Sequence, residues 1–381
     1  MNLIISVASI AVLLISIAVV LLFRNLRLSG TEPVAFFTFM SILFTSGMDV
    51  GLIMFPLAEF PMYETEAAYG FTNPLAVIFG SWGFLIWIFY FLTTFYFLVV
   101  EPRLKLFEIP WIKLVNNAVI IGTCAFTGYL FLFYLPTYIE GISPLFKYGL
   151  VAGVVLFAVL SSTNIRYVKV LSVSSVGLFG VLAVAMWFAS GMGLEEMGAT
   201  LVQLGDYFPN MHRFVTPISD HHAFYLYWWF AWSIMIGQFV ARFARNLKTW
   251  QLLASLLVFP SIPLALWFSI IYFYYTHGVA VGGAMNTFMI VVGVVFVINS
   301  LDSLTRLYTD NLNLKVERLG GLRYVGLHWS VIFGLILLYQ FTPLQIEWVG
   351  LVVIALYVAV GYLIFRRRQG MLSAVTPDAV R

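Results

Sequence analysis

The acidic residue Asp49 stands between Gly47 and Gly51, in the middle of a long apolar run. A charged side chain inside a membrane costs at least about 2.5 kcal/mol, so Asp49 is expected to face an internal cavity or a partner. The two glycines allow a helix to unwind around Met48 and turn backbone carbonyls toward a cation. The alternative is that two glycines four residues apart mark a close contact between helices.

Two groups of large aromatic residues lie in other apolar runs. The groups are Trp82, Trp87 and Tyr90, and Trp228, Trp229 and Trp232. The offsets in the first group predict that its rings spread over one broad helix face. Several indole faces around one cavity bind a quaternary ammonium ion at about 0.5–2 kcal/mol each. The alternative, strongest for Trp82, is an aromatic belt at the membrane surface.

A further polar interruption runs from Asn299 to Ser303. Asn299 and Ser300 offer oxygen atoms, which small hard cations prefer as ligands; interhelical hydrogen bonding is the alternative. Asp302 is expected to hold a loop or an arginine. His221 and His222 are expected to form a hydrated pair at a helix end. The sequence contains no nucleophile elbow or phosphate-binding loop, so we do not expect an enzyme.

The composition indicates which elements hold these residues. Of the 381 residues, 62% are hydrophobic and 10% are charged, whereas a soluble domain has about 25% charged residues. The net charge of +3, with no basic patch, argues against nucleic acid as a partner. Since a membrane crossing needs about 20 apolar residues, the expected surroundings are a lipid bilayer. The sequence predicts about eleven crossings, at roughly 3–23, 34–58, 72–100, 111–135, 146–163, 168–190, 221–244, 250–275, 281–308, 324–342 and 346–365.

Positive residues are distributed unevenly among the connectors. Of the 20 Lys and Arg residues, all except Lys147 and Arg213 fall on one side of the predicted crossings. By the positive-inside rule, that side is cytoplasmic. The first run carries no positive side chain before Arg24, which favours a crossing over a signal peptide. We therefore expect a multi-pass protein of the cell (inner or plasma) membrane, with its N-terminus outside and its C-terminus in the cytoplasm.

The number of crossings predicts the domain organisation. With the first crossing set aside, the other ten divide into two sets of five with opposite orientation, as an inverted-repeat transporter requires. The expected fold class is an all-α integral membrane protein. Its expected parts are a leading helix (1–30), a first five-helix repeat (31–190), an outer connector with an amphipathic helix (191–220), a second repeat (221–366) and a cytoplasmic tail (367–381).

These features together resemble the betaine/carnitine/choline transporter family, secondary carriers of trimethylammonium compounds. The resemblance rests on the glycine-rich stretch 47–52 with Glu59 after it, on the aromatic spacing in 82–90, on the run 227–245, which is the most specific match, and on 296–303. It implies a sodium-symporter-like fold of two inverted five-helix repeats. It also implies one leading helix where the family normally has two, so we expect a short member lacking the family's first helix.

The resemblance implies a role for each of these residues. The trimethylammonium group would sit among Trp82, Trp87, Tyr90 and Trp229, with Trp228 and Trp232 lining the path. A sodium ion would take the carbonyls of Thr45, Met48 and Phe296 and the side-chain oxygens of Asn299 and Ser300. No other cofactor is implied. Members of the family are often homotrimers.

The chain departs from the family at three positions. Asp49 replaces the usual glycine, Asn299 a threonine and Ile234 a proline. An ionised Asp49 would repel a betaine carboxylate and attract a bare cation such as choline. The leading hypothesis is a secondary transporter that imports a quaternary or alkyl-ammonium solute by alternating access, coupled to Na⁺. The alternative is a non-transporting subunit or sensor in a larger membrane complex.

Overall fold

A computed structural model describes residues 1–48 and 51–375, with side chains described as far as residue 367. Short 3₁₀ turns occur in three of the connectors, and the π-helical turn Tyr96–Val100 joins α5 to α6. The α-helices are α1 (Asn2–Phe23), α2 (Phe36–Gly47), α3 (Gly51–Thr65), α4 (Pro74–Trp82), α5 (Phe84–Phe95), α6 (Glu101–Leu104), α7 (Pro110–Tyr138), α8 (Pro144–Ser162), α9 (Ile165–Ser190), α10 (Leu194–Leu204), α11 (Tyr207–Asn210), α12 (Asp220–Ala241), α13 (Thr249–Thr276), α14 (Gly283–Asn311), α15 (Val316–Leu319), α16 (Gly321–Phe341) and α17 (Ile346–Val375).

A described helix or helix pair lies at each predicted crossing, and ten of the eleven are long and apolar enough to span a membrane. Nine of these ten are α1, the segment from α4 to α6, α7, α8, α9, α13, α14, α16 and α17. The pair α2 and α3 passes the same test together, with a bend of 49°. The remaining segment, α12, is rich in Trp and Tyr and mostly buried, and its 22 residues make a helix about 33 Å long. The expected all-α membrane fold is confirmed.

The helix contacts follow a pseudo-two-fold pattern. The first set is α2–α3, α4–α5, α7, α8 and α9, and the second is α12, α13, α14, α16 and α17. Within each set the first helix packs against the fifth, as α2 does with α9 and α12 with α17. Between the sets, α7 packs against α14, α16 and α17, while α14 packs against α7, α8 and α9. Exchanging the sets maps each of these contacts onto another.

Capping residues fix where the helices that carry the aromatic side chains begin. The side-chain oxygen of Asn73 accepts the backbone N–H three residues on at 2.9 Å, and Pro74 opens α4. The Ser219 hydroxyl accepts the N–H of His222 at 3.2 Å at the start of α12. A proline at the first position removes one N–H that would be unpaired, and a side-chain cap satisfies another.

The predicted crossing at 72–100 is not one continuous helix. Gly83, at φ −92° and ψ −140°, separates α4 from α5. A Cβ at this position would lie 2.5 Å from the carbonyl oxygen of Phe79, so only glycine fits the break. The residues on either side of Gly83 therefore belong to different helices.

The sequence predicted one further feature of the fold, the helix α10, only in outline, and it did not predict two others. In the outer connector, α10 turns Met197 and Leu204 into the protein. An antiparallel ladder pairs β1 (Arg27–Leu28) with β2 (Leu247–Lys248), which joins the connector after α1 to the one after α12. The last helix, α17, continues to Val375, into the segment expected to be a tail.

Candidate functional site

The break between α2 and α3 brings a backbone carbonyl against α14. Helix α2 ends at Gly47, Met48 is extended at φ −119° and ψ 145°, and α3 begins at Gly51. The Ser300 hydroxyl on α14 donates to the carbonyl oxygen of Met48 at 3.2 Å, and both residues are buried. Asp49 lies outside the described residues, so the structure does not place its side chain.

The other predicted sodium ligands lie on the helices beside this contact. Thr45, in the last turns of α2, donates its hydroxyl to the carbonyl of Ser41 at 2.8 Å. Asn299 accepts the Ser172 hydroxyl of α9 through Oδ1 at 2.9 Å, and its Nδ2 has no partner among the described residues. Phe296 is buried one turn before Ser300. The structure thus links Met48 to Ser300 by a hydrogen bond. The amide oxygen of Asn299 points toward α9, where it accepts the Ser172 hydroxyl.

A cluster of three buried indoles, Trp82, Trp228 and Trp229, joins α4 to α12. Trp228 and Trp229 stack with their ring centroids 4.6 Å apart, and Trp82 meets Trp229 edge-on at 4.9 Å. Trp229 Nε1 donates to the carbonyl of Ser81 at 2.8 Å. Each of the three side chains is at most 1% exposed. This indole cluster therefore lies inside the protein, not in an aromatic belt at the membrane surface.

Trp87 and Tyr90 form a second group, on α5. Their rings meet edge-on at 5.4 Å, and the Tyr90 hydroxyl donates to the carbonyl of Gly47 at 3.1 Å. A Cβ at Gly47 would lie 3.1 Å from the ring of Tyr90 and 3.4 Å from that of Trp87. This pair thus packs directly on the end of α2. The single helix face expected for Trp82, Trp87 and Tyr90 is wrong, because the break at Gly83 divides the group.

Several indole N–H groups at the site have no acceptor among the residues that the structure describes. Trp232 is buried one turn after Trp229 on α12. Among the described residues, the Nε1 atoms of Trp87, Trp228 and Trp232 have no hydrogen-bond partner. A buried donor without an acceptor costs free energy, which an acceptor on a bound solute would restore.

Sequence reasoning assigned no role to the buried carboxylate of Glu59. Tyr225 and Tyr63 donate hydroxyls to it at 2.8 and 2.9 Å, and His221 Nε2 lies 3.1 Å from Oε1. Trp82 Nε1 donates to the Tyr225 hydroxyl at 3.3 Å, which ties the carboxylate to the indole cluster. Glu59 is 4% exposed. A glutamate near the end of an apolar run was the available signal, since ionisable residues inside membranes usually have a function.

The expected hydrated histidine pair is wrong. His222 is buried, and its Nδ1 accepts the backbone N–H of Ile218 at 3.2 Å, while His221 contacts Glu59. The pair is instead packed at the N-terminal end of α12.

The expected arginine partner of Asp302 is also wrong. Asp302 accepts the hydroxyls of Ser161 and Ser303. The arginines Arg242 and Arg306 pair with Asp310, two turns further along α14. A carboxylate closer to the C-terminal end of α14 thus pairs with these arginines.

Comparison with known proteins matches one transporter family. The family described as betaine/carnitine/choline family transporter matches residues 127–276. Glycine betaine transporter OpuD of Bacillus subtilis is 27% identical over 280 residues, which cover 60% of this chain and 53% of that protein. An ectoine/hydroxyectoine transporter of Virgibacillus pantothenticus is 24% identical over 295 residues, covering 64% of this chain and 58% of that protein.

A second glycine betaine transporter, from Acinetobacter baylyi, is 21% identical over 345 residues, which cover 73% of this chain and 52% of that protein. The chain thus spans about half the length of the curated relatives it matches. Among solved structures, an outward-open, substrate-bound Na⁺-coupled sialic acid symporter matches with a TM-score of 0.49 and 15% identity, covering 93% of this chain and 82% of that one.

Proposed function

We propose that this chain belongs to the betaine/carnitine/choline transporter family, whose model matches residues 127–276, and that it is a secondary transporter that imports an ammonium solute of the choline or betaine type. The observation that carries the proposal is the buried indole cluster of Trp82, Trp228 and Trp229. Trp82 comes from the first set of helices, and Trp228 and Trp229 come from the second. A solute held between them would contact both repeats, so a relative movement of the repeats would open it to either side of the membrane.

The chemistry of the cluster suits a soft cation with polar ends. Indole faces attract a trimethylammonium group without a directly bonded anion. The carboxylate of Glu59, one tyrosine away from Trp82, adds negative potential. The N–H groups of Trp228 and Trp232, which have no acceptor in the described part of the chain, offer donors for a hydroxyl or carboxylate of the solute. Both choline and glycine betaine fit this description, and Asp49 favours choline.

Sodium is the proposed coupling ion, carried as a second substrate. The Met48 backbone is extended after the end of α2, and the Ser300 hydroxyl donates to its carbonyl oxygen at 3.2 Å. A small hard cation takes this kind of oxygen as a ligand. The ion would bridge α2 and α14, which belong to different repeats.

We also propose that the C-terminus faces the cytoplasm and the N-terminus faces outward. The support is the concentration of Lys and Arg in the connectors on one side, with Lys147 and Arg213 as the exceptions. Below, the inner side of the protein is the side of those connectors.

The experiment is uptake of labelled choline and glycine betaine into proteoliposomes under an inward sodium gradient, with Trp348→Leu as a control because Trp348 is 47% exposed on α17. We expect accumulation of at least one solute by the wild type and the control. Dissipating the gradient should abolish accumulation. A non-transporting subunit or sensor would accumulate neither solute under sodium or proton gradients, and that result would overturn the proposal.

A further inference from the structure

A polar cavity of about 100 Å³ lies among the inner ends of α7, α12 and α14, apart from the indole cluster. Its polar lining comprises Glu101, Glu108, Lys113, Asn116, Asn117, Gln238 and Asn311. Four of these seven side chains are amides. The proposed transport site uses none of these residues.

A chain of amide hydrogen bonds runs along the cavity. Asn116 on α7 donates through Nδ2 to Gln238 Oε1 on α12 at 3.0 Å. Gln238 donates through Nε2 to Asn311 Oδ1 on α14 at 3.3 Å. The cavity thus sits where three helices from both repeats meet.

Two buried oxygen atoms at this cavity lack a hydrogen-bond donor within residues 1–48 and 51–375. Asn117 donates its Nδ2 to the backbone carbonyl of Lys113 at 2.7 Å, and since a carbonyl can only accept, this bond fixes the orientation of the amide. In the described part of the chain, Oδ1 of Asn117 and Oδ1 of Asn116 have no partner. These residues are 2% and 1% exposed. Unpaired acceptors at this depth are costly unless a cation or another donor meets them.

The charges around the cavity favour a single positive charge. Glu101 already accepts the Tyr96 hydroxyl at 2.8 Å and the N–H groups of Leu106 and Phe107 at 3.0 Å. At the mouth, Glu108 and Lys113 form an ion pair at 2.8 Å. The Glu101 carboxylate therefore remains without a positive partner among the described side chains that line the cavity.

The nearest other carboxylate on α14 is already neutralised. Asp310, next to Asn311, pairs with Arg242 at 2.8 Å, Arg306 at 3.3 Å and Lys315 at 3.5 Å. It adds no free negative charge for a divalent ion. Since one water takes about 30 Å³ of liquid volume, the cavity has room for an ion with one or two waters.

We propose that this cavity binds a monovalent alkali cation, K⁺ or Na⁺, through the amide oxygens of Asn116 and Asn117, with Glu101 supplying the compensating charge. Amide and carboxylate oxygens are the ligands that hard cations prefer. Because α7 belongs to the first repeat and α12 and α14 to the second, the bound ion stabilises the contact between the repeats at the inner side. It thereby favours the arrangement seen in this structure over one in which the inner ends separate.

The test is the thermal unfolding temperature of the purified protein in nanodiscs, without solute, in KCl, NaCl or N-methyl-D-glucamine chloride at equal ionic strength. An ion that binds only the folded protein raises this temperature, and we expect a shift of about 2 °C or more in KCl or NaCl. Asn117→Leu is expected to abolish the shift, and Asn117→Asp to retain or enlarge it.

Asn286→Leu is the matched control. Asn286 also donates its Nδ2 to a backbone carbonyl of α7, that of Tyr138, at 2.7 Å, but it lies at the other end of α14. This variant should lose stability and keep the cation-dependent shift. Equal unfolding temperatures of the wild type in the three salts would overturn the proposal. A full cation-dependent shift in Asn117→Leu would also overturn the proposal. If Asn117→Leu does not fold, loss of the shift in Asn117→Asp would overturn it instead.

Discussion

The hydroxyl of Ser300 donates to the carbonyl oxygen of Met48 at 3.2 Å, although the two residues are 252 positions apart. Met48 lies at the break after α2, in the first set of helices, and Ser300 lies in the middle of α14, in the second set. The contact therefore depends on how the two sets pack against each other. An ion at the proposed sodium position would sense the relative position of the two sets.

Ser300→Ala is expected to raise the sodium concentration for half-maximal uptake about tenfold, which corresponds to about 1.4 kcal/mol. The measurement is uptake into proteoliposomes as a function of external sodium. Ser269→Ala is the matched control, because Ser269 is equally buried and its hydroxyl has no partner in the described part of the chain. An unchanged sodium dependence in Ser300→Ala would contradict the proposed sodium position.

Asp49→Gly is expected to shift the solute preference from choline toward glycine betaine. The physical reason is that an ionised carboxylate repels the carboxylate of betaine and attracts a bare cation. The measurement is competition between the two labelled solutes for uptake, with Asp49→Asn to separate the loss of charge from the loss of volume. Identical preferences in the wild type and both variants would show that Asp49 does not face the solute.

Glu59→Ala is expected to lower the free energy of unfolding by about 1–3 kcal/mol, because the hydroxyls of Tyr63 and Tyr225 lose their acceptor inside the protein. Glu59→Gln keeps an acceptor oxygen in place, so its unfolding temperature should be closer to that of the wild type. It should nevertheless weaken the uptake of choline, since the negative charge is gone. Thermal unfolding and uptake are both measured, and Glu195→Ala, at an exposed position, is the control. A wild-type unfolding temperature in Glu59→Ala would contradict this role.

Gly237→Ala is expected to destabilise the fold by about 1–3 kcal/mol through overpacking. A Cβ at Gly237 on α12 would lie 2.3 Å from the hydroxyl oxygen of Thr93 and 2.7 Å from its backbone carbonyl carbon on α5. The backbone of α5 cannot move aside as a flexible side chain can. Gly180→Ala, in the interior of α9 with nothing within 4 Å of a Cβ, should be neutral or slightly stabilising. Equal unfolding temperatures for the two variants would show that α5 and α12 are less closely packed.

Most of the helices could be predicted because lipid imposes a simple requirement, about 20 apolar residues for each crossing. The predicted run 3–23 corresponds to the helix Asn2–Phe23. The break at Gly83 could not be predicted, since a lone glycine within an apolar run is tolerated inside a helix. It depends on the approach of the Phe79 carbonyl, which only the folded chain shows.

The residue types of the candidate site could be predicted from the sequence, but the residues that they contact could not. Trp82 and Trp229 were apparent as aromatic residues in apolar runs, whereas the contact between Trp229 and Ser81 joins residues 148 positions apart. The role of Glu59 depends on Tyr225, 166 positions away. One sequence carries no information on which faces of two distant helices meet, so these contacts required the structure.

The most direct test of the central claim is equilibrium binding of labelled choline and glycine betaine to the purified protein and to Trp229→Leu. The indole of Trp229 stacks on Trp228 and meets Trp82 edge-on. The account predicts saturable binding of at least one solute by the wild type, and displacement of that solute by an excess of its unlabelled form. A folded Trp229→Leu variant should bind at least tenfold more weakly, which corresponds to a loss of about 1.4 kcal/mol of binding free energy. Equal affinity in the two proteins, or no saturable binding of either solute by the wild type, would contradict it.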